Sequence, residues 1–128
     1  MAATRQKFLV SLLKDARFEG GGLRSYFVDR NLGVDEATGG MVTALVHRAA
    51  GKCPREVRQP HLHRVDFQMN YVLKGWCRFE FDGHGEQRFE AGDAWLQPPE
   101  IEHALLDFSE DFEVLEIVMP AEFDTVDL

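Results

Sequence analysis

The sequence lacks several features that would place it in whole classes of protein. Its 128 residues include two cysteines, Cys53 and Cys77, which form no spaced pair and so predict no disulfide framework. No apolar run approaches the roughly 18 residues that a membrane span requires. The apolar stretch at residues 8–13 is also too short for the core of a signal peptide. We therefore expect a cytoplasmic protein that does not associate with membranes.

Positive charge is also scarce. Fourteen Lys and Arg oppose 22 Asp and Glu, which gives a formal net charge of −8 and a pI near 5.0. A compact acidic domain is a poor nucleic-acid binder, because phosphate contacts need clustered cations. We therefore expect no nucleic-acid partner. Since 45% of the residues are apolar and 11% are aromatic, the chain can form a hydrophobic core, and its length predicts one domain.

The first part of the chain has the pattern of a helix. Apolar side chains recur at helical spacing over residues 3–17, and three consecutive glycines at residues 20–22 would end the helix. The sequence therefore predicts a short N-terminal α-helix and a Gly-rich connection over residues 1–22. A single domain over residues 23–128 follows, and the helix would pack against its outside.

From residue 23 onward the pattern is typical of consecutive strands. Short runs rich in β-branched and aromatic residues alternate with turn residues at intervals of roughly eight to twelve residues, with no long helix between them. The predicted strands cover residues 23–29, 41–49, 67–74, 76–82, 86–90, 94–97, 104–108 and 112–119, and a short acidic tail follows. This pattern predicts an all-β antiparallel sandwich or jelly-roll barrel.

Two of the five histidines have a spacing that favours a shared site. His61 and His63 are two residues apart, so in a strand both imidazoles project from the same face. If residues 64–67 form a hairpin loop, Gln68 lies opposite His63 and presents its amide beside the imidazoles. His47 and His84 have no partner at ligand spacing, and we interpret both as ordinary residues.

Together with a later segment, these residues resemble the two motifs of the cupin superfamily, G-x5-H-x-H-x(3–4)-E-x6-G and G-x5-P-x-G-x2-H-x3-N. The positions that match are His61, His63, Gly75, Gly92, Pro98 and His103. The positions that depart are Arg55 for the first Gly, Gln68 for Glu, Glu100 for the turn Gly and Asp107 for the closing Asn. The spacing agrees throughout both motifs.

The resemblance implies a cupin barrel that binds one divalent metal through His61, His63, Gln68 and His103. Asp66 is an alternative oxygen ligand, although its position in the predicted turn fits less well. Mixed nitrogen and oxygen ligation suits iron, nickel, manganese, cobalt, copper or zinc. Because the Gln68 amide is neutral, the ion would keep its full +2 charge and attract a carboxylate, enolate or phenolate.

A general base would have to come from elsewhere, because Gln68 cannot serve as one. Glu116 is the candidate catalytic residue: if it points into the barrel its pKa should be raised, and if it points outward it is an ordinary solvated glutamate. Asn70 and Val72 share the strand face of Gln68 and should line the substrate pocket. The basic stretch at residues 48–64 is either a solvated loop or a mouth that attracts anionic small molecules.

The resemblance implies a metal-dependent, dioxygenase-like enzyme that acts on a small anionic organic molecule. It also implies a homodimer, since exposed edge strands favour pairing. Three alternatives stay open: a non-catalytic cupin that binds or senses a small molecule, a cupin whose metal serves only stability, and a metal-free sugar epimerase or isomerase. The last would need a His–Asp pair, for which the sequence offers no clear candidate.

Overall fold

The computed structural model describes residues 6–20 and 26–128. Its strands, numbered in chain order, are β1 (Phe27–Asn31), β2 (Thr43–Ala49), β3 (His61–Arg64), β4 (Phe67–Lys74), β5 (Trp76–Phe81), β6 (Gly85–Glu90), β7 (Ala94–Leu96), β8 (His103–Phe108), β9 (Glu113–Met119) and β10 (Asp124–Asp127). A one-turn helix, α1 (Val34–Ala37), and 3-10 turns at Leu13–Asp15 and Arg55–Arg58 complete the described structure. Within these ranges no helix is long and apolar enough to span a bilayer.

The strands form two antiparallel sheets of five strands each. The first sheet has the order β1-β2-β9-β4-β7, and the second has the order β10-β3-β8-β5-β6. Neighbouring strands within a sheet are mostly distant in sequence, because the chain repeatedly crosses from one sheet to the other. The predicted all-β jelly-roll barrel is therefore confirmed.

The apolar core lies between the two sheets. Val72 and Val114 contribute from the first sheet, and Cys77 and Phe108 contribute from the second. Phe112, in the turn before β9, is 1% exposed and stacks on Phe108 with 5.9 Å between the ring centroids. This aromatic packing joins the sheets beside the cavity described below.

The predicted hairpin that pairs His63 with Gln68 is wrong. His63 lies opposite Thr125 in the second sheet, whereas Gln68 lies opposite Val118 in the first. Between them the chain crosses the barrel at Val65, which is buried, and the next backbone N–H donates to the carbonyl of Met119 at 2.7 Å. The two side chains thus line the same cavity from different sheets rather than pairing along one sheet.

The C-terminal segment is a strand, not the predicted tail. β10 pairs with β3 and covers an edge of the second sheet, with Thr125 opposite His63. The acidic residues at both ends of β10 have low strand propensity, which explains why the local pattern did not indicate a strand. Pairing with β3 supplies the hydrogen bonds that outweigh this propensity.

The N-terminal segment also differs from the prediction. Of the predicted helix at residues 3–17, the described part contains only the turn at Leu13–Asp15, and residues 3–5 lie outside the described ranges. Phe8 and Leu13 are 94% and 70% exposed, so the apolar face lacks the burial that stabilises a short helix. The predicted boundary at residue 22 and the start of the predicted first strand at residues 23–25 also fall outside the described ranges.

Candidate metal centre

Three buried histidines meet inside the barrel. β3 and β8 are joined by the pair His61–His103, and His63 lies two residues further along β3 on the same face. The ring of His61 lies 4.1 Å from that of His103 and 4.9 Å from that of His63, measured between centroids. One ligand nitrogen from each side chain lies within 4.8 Å of the other two. Nitrogen ligands lie about 2.1 Å from a bound metal ion, so a small movement of the side chains would bring all three nitrogens to bonding distance from one ion.

Hydrogen bonds to Nδ1 orient the three imidazoles. Nδ1 of His61 donates to the carbonyl of Gln59, and Nδ1 of His103 donates to the carbonyl of Ile101, both at 2.9 Å. Because a carbonyl can only accept, the neutral rings carry their lone pairs on Nε2. Nδ1 of His63 lies 2.9 Å from the hydroxyl of Thr125. Such outer partners fix the orientation of metal-binding histidines, so the donor set fits a divalent ion.

Gln68 lines the same cavity as the three histidines. Its side chain is buried, and Nε2 donates to Oε2 of Glu116 at 2.8 Å. A carboxylate only accepts hydrogen bonds, so this contact fixes which end of the amide faces Glu116. The oxygen, Oε1, then lies on the opposite side, 3.5 Å from Nε2 of Gln97, which is itself 3.1 Å from Nε2 of His103.

Gln97 is a site residue that the sequence analysis missed. It follows β7 and is 3% exposed, and its Oε1 accepts from the indole N–H of Trp95 at 3.2 Å. Because the indole nitrogen only donates, the amide nitrogen of Gln97 must face the histidine cluster. Gln97 precedes Pro98 at the end of a predicted strand, and no feature of the local sequence marks it as part of a site.

Glu116 points into the barrel, but the prediction of a raised pKa is wrong. Burial alone would raise the pKa, but the charge of His47 and hydrogen bonds from His47 and Gln68 outweigh burial and lower it to about 2. Nε2 of His47 lies 2.9 Å from Oε1 of Glu116. The carboxylate is therefore ionised and serves as a hydrogen-bond acceptor at neutral pH.

His47 is the second residue that the sequence analysis missed. Its Nδ1 lies 2.6 Å from Oδ1 of Asp29, its cross-strand neighbour on β1. Burial alone would lower the pKa of His47, but Glu116 and Asp29 together raise it to about 10, so the imidazole is charged. The structure thus contains a His–Asp pair. One feature of the sequence could have identified His47 as a site residue: it shares the inward face of a predicted strand with Leu45 and Ala49.

These groups surround one cavity of about 310 Å³ with mainly aromatic and aliphatic walls. Asn70 is 5% exposed and lines this cavity, whereas Val72 is fully buried and packs in the apolar core. Val72 therefore differs from its predicted position, because the core closes over that part of β4. Asp66 is exposed on the outside of the barrel, so the structure does not bring this alternative ligand to the histidines.

The basic residues of the 48–64 stretch that the structure describes lie outside the cavity. Arg48 pairs with Glu113 at 3.5 Å and stacks over the ring of Phe18. Arg58 is exposed and donates to the carbonyl of Leu106. Among the described residues, the cavity wall includes no Lys or Arg. This arrangement favours the interpretation of a solvated basic surface.

Comparison with known structures shows the same fold in several proteins. KdgF from Halomonas sp. is 19% identical, with a TM-score of 0.68 over 91% of this chain and 96% of that one. The polyketide cyclase RemF from Streptomyces resistomycificus is 16% identical, with a TM-score of 0.73 over 95% of this chain and 86% of that one. The iron(II) form of HppE is 14% identical, with a TM-score of 0.66 over 88% of this chain and 60% of that one. Comparison with curated protein sequences finds no match.

The sequence itself also matches a family model. The Cupin domain model covers residues 53–118, just over half of the chain. That range contains the three clustered histidines, Gln68, Gln97 and Glu116, and it spans strands of both sheets. The family match and the barrel geometry agree. The chain therefore belongs to the cupin family.

Proposed function

We propose that this protein is a metal-dependent enzyme whose ion is held by His61, His63, Gln68 and His103. The observation that carries the proposal is the convergence of three buried histidines, with Nδ1 hydrogen-bonded in each, on one cavity between the sheets. Iron, nickel, manganese, cobalt, copper and zinc all suit three imidazoles and one amide oxygen. The iron(II) form of HppE shows that a protein of this fold can hold such an ion.

A bound divalent ion would supply Lewis acidity to an anionic group of the substrate. The three imidazoles and the Gln68 amide would hold it without adding negative charge, so a carboxylate, enolate or phenolate is the expected substrate group. The amide of Asn70 and the aromatic walls would orient the rest of the molecule and exclude water. The volume of about 310 Å³ restricts the substrate to a small organic molecule.

Glu116 would face this substrate as an ionised carboxylate. Its two oxygens already accept from His47 and Gln68, and each oxygen can accept a further hydrogen bond. We assign Glu116 the role of accepting a hydrogen bond from a substrate hydroxyl or enol, because a carboxylate of such low pKa is a poor proton acceptor. A dioxygenase-like reaction is the first to test, because the proposed site suits iron and would leave coordination positions open.

A metal-free acid–base enzyme is the second candidate, and the Asp29–His47 pair favours it. The imidazole bridges two carboxylates at 2.6 and 2.9 Å on the cavity wall, so it could support proton transfer without an ion. The two candidates differ in their response to chelation. Activity that survives removal of all bound metal would support the second candidate and contradict the first.

Metal analysis of the purified protein tests the ligand assignment. We expect close to one transition-metal ion per chain, and we expect the double variant His61→Ala/His103→Ala to bind none. His84→Ala is the matched control, because His84 lies in an exposed loop outside the cavity. Circular dichroism would show that each variant is folded. Metal retained by the folded double variant would overturn the assignment.

Turnover assays distinguish an enzyme from a sensor. Oxygen consumption and product formation would be followed for metal-loaded protein with a panel of carboxylates, diketones and phenols. We expect turnover of at least one class, and loss of that turnover in His61→Ala/His103→Ala. Tight binding without turnover of any compound would instead indicate a non-catalytic binding or sensing cupin.

We also propose a homodimer that forms through the outer face of the first sheet. Tyr71 and Leu73 on β4 and Leu96 on the edge strand β7 are 43%, 45% and 63% exposed on that face. Burying them against a second copy would remove apolar surface and an open sheet edge from water. Light scattering should show a dimer for the wild type and a monomer for Leu96→Lys. The cytoplasmic location stays a prediction.

A further inference from the structure

We propose that Glu116 determines the charge of the fourth metal ligand, because its carboxylate requires a neutral amide at position 68 and turns the amide oxygen toward the histidines. This inference rests on the proposed metal site and assigns Glu116 a positioning role within it. The direct observation is the hydrogen bond from Nε2 of Gln68 to Oε2 of Glu116, 2.8 Å long.

Glu116 is itself held in place by residues of the neighbouring strands. His47 contacts Oε1 of Glu116 at 2.9 Å, and Asp29 contacts the other nitrogen of His47 at 2.6 Å. The strands β1, β2, β9 and β4 are consecutive neighbours in the first sheet, and each contributes one member of this chain of contacts. The carboxylate of Glu116 therefore has a fixed position relative to Gln68.

A glutamate at position 68 would be incompatible with this arrangement. Its carboxylate would lie where the amide nitrogen of Gln68 now stands, within hydrogen-bond distance of Oε2 of Glu116. Two carboxylate groups in that contact would have no N–H to share, and Gln68 is 2% exposed while the side chain of Glu116 is 18% exposed, so little water would screen them. An amide avoids this repulsion, which accounts for Gln68 at the position where the cupin motif has glutamate.

The amide oxygen of Gln68 also has a defined partner. Nε2 of Gln97 lies 3.5 Å from Oε1 of Gln68, and the indole of Trp95 fixes the orientation of the Gln97 amide. Both ends of the Gln68 amide thus have partners of the correct polarity. The oxygen faces the histidine side as a neutral ligand, and this preserves the full charge of the ion for an anionic substrate.

A swap of the two side chains tests this dependence. The variants are Gln68→Glu, Glu116→Gln and the double variant Gln68→Glu/Glu116→Gln, which restores one carboxylate and one amide with the hydrogen bond reversed. Each is compared with the wild type by thermal unfolding of the metal-free protein and by Co²⁺ titration followed by visible absorption and calorimetry. The substitutions are nearly isosteric, so the fold should be retained.

We expect Gln68→Glu to lower the unfolding midpoint of the metal-free protein by about 5 °C. Glu116→Gln should weaken Co²⁺ binding about tenfold, because an amide at position 116 no longer fixes the orientation of Gln68. Because Glu116→Gln also removes the charged partner of His47, the midpoint of the double variant is compared with that of Glu116→Gln, and in that background Gln68→Glu should lower the midpoint by much less than it does in the wild type. The double variant should bind Co²⁺ at least as tightly as the wild type. Additive effects of the two substitutions on both measurements would overturn the inference.

The two proposals fail in different ways. A wild-type protein that binds no Co²⁺ would overturn the proposed metal site, whatever the unfolding midpoints are. If Co²⁺ binds and metal-free Gln68→Glu is as stable as the wild type, the metal site stands. The requirement for an amide beside Glu116 is then overturned.

Discussion

His47 and Glu116 lie 69 residues apart in the chain and form an ion pair inside the barrel, with 2.9 Å between Nε2 and Oε1. The contact joins β2 to β9, and Asp29 extends it to β1. Each partner changes the pKa of the other in the direction that favours charge. The pKa of His47 is raised to about 10, and the pKa of Glu116 is lowered to about 2. The pair therefore contributes to both the stability of the first sheet and the electrostatics of the cavity.

The first prediction is a decrease in stability at alkaline pH. The pKa of His47 rises from 6.5 to about 10 on folding, so its contribution is complete below about pH 6.5 and is lost as the pH rises toward 10. The contribution of Glu116 is complete above about pH 4.5 and is lost as the pH falls toward 2. Between pH 6.5 and 10 the free energy of unfolding should fall by up to about 1.4 kcal/mol per pH unit from His47.

Urea denaturation at several pH values between 6 and 10 measures this slope. His47→Gln should be less stable than the wild type at pH 6 and should lack the slope that His47 causes. His84→Gln, in the exposed loop, is the control and should keep the wild-type profile. An unchanged slope in His47→Gln would contradict a charged imidazole between the two carboxylates.

The second prediction concerns the support of a proposed metal ligand by the C-terminal strand. The hydroxyl of Thr125 lies 2.9 Å from Nδ1 of His63 and fixes the orientation of that ring. Thr125→Val removes the hydroxyl at nearly constant volume and should weaken Co²⁺ binding by about tenfold. Thr125→Ser keeps the hydroxyl and should bind nearly as tightly as the wild type. Equal affinities for the two variants would show that this hydrogen bond does not support the site.

The third prediction compares two glycines with positive φ in tight turns. Gly75, between β4 and β5, has φ of 70°, and an added Cβ would collide with the side chains of Ser109 and Asp111 and lie 3.0 Å from Cα of Phe112. Gly83 has φ of 79°, and no described heavy atom lies within 4 Å of an added Cβ.

Alanine at either glycine therefore incurs the left-handed conformational cost of about 1–2 kcal/mol, and alanine at Gly75 adds a collision with the turn before β9. We expect Gly75→Ala to lower the free energy of unfolding by at least about 1 kcal/mol more than Gly83→Ala does. Urea denaturation of both variants measures the difference. Equal losses would indicate that the turn before β9 can shift without cost.

The local sequence predicted the strands well where side-chain alternation was strong. In β5, Cys77 and Phe81 face the core and alternate with charged residues. The pattern failed for β10, where acidic residues have low strand propensity and pairing with β3 decides the structure. It also failed at the N-terminus, where helical spacing exists but the exposed Phe8 and Leu13 find no surface to cover.

The sequence by itself determined the inward faces of the strands and the spacing of His61, His63 and His103, because alternation and motif spacing are local properties of the chain. Only the tertiary structure decided that Gln68 meets the histidines across the barrel, and that His47 and Gln97 belong to the same cavity. These contacts join strands that are distant in sequence, and they are fixed by strand order and by the crossings between the sheets. The charge of Glu116 likewise depends on a partner that only the folded barrel brings to it.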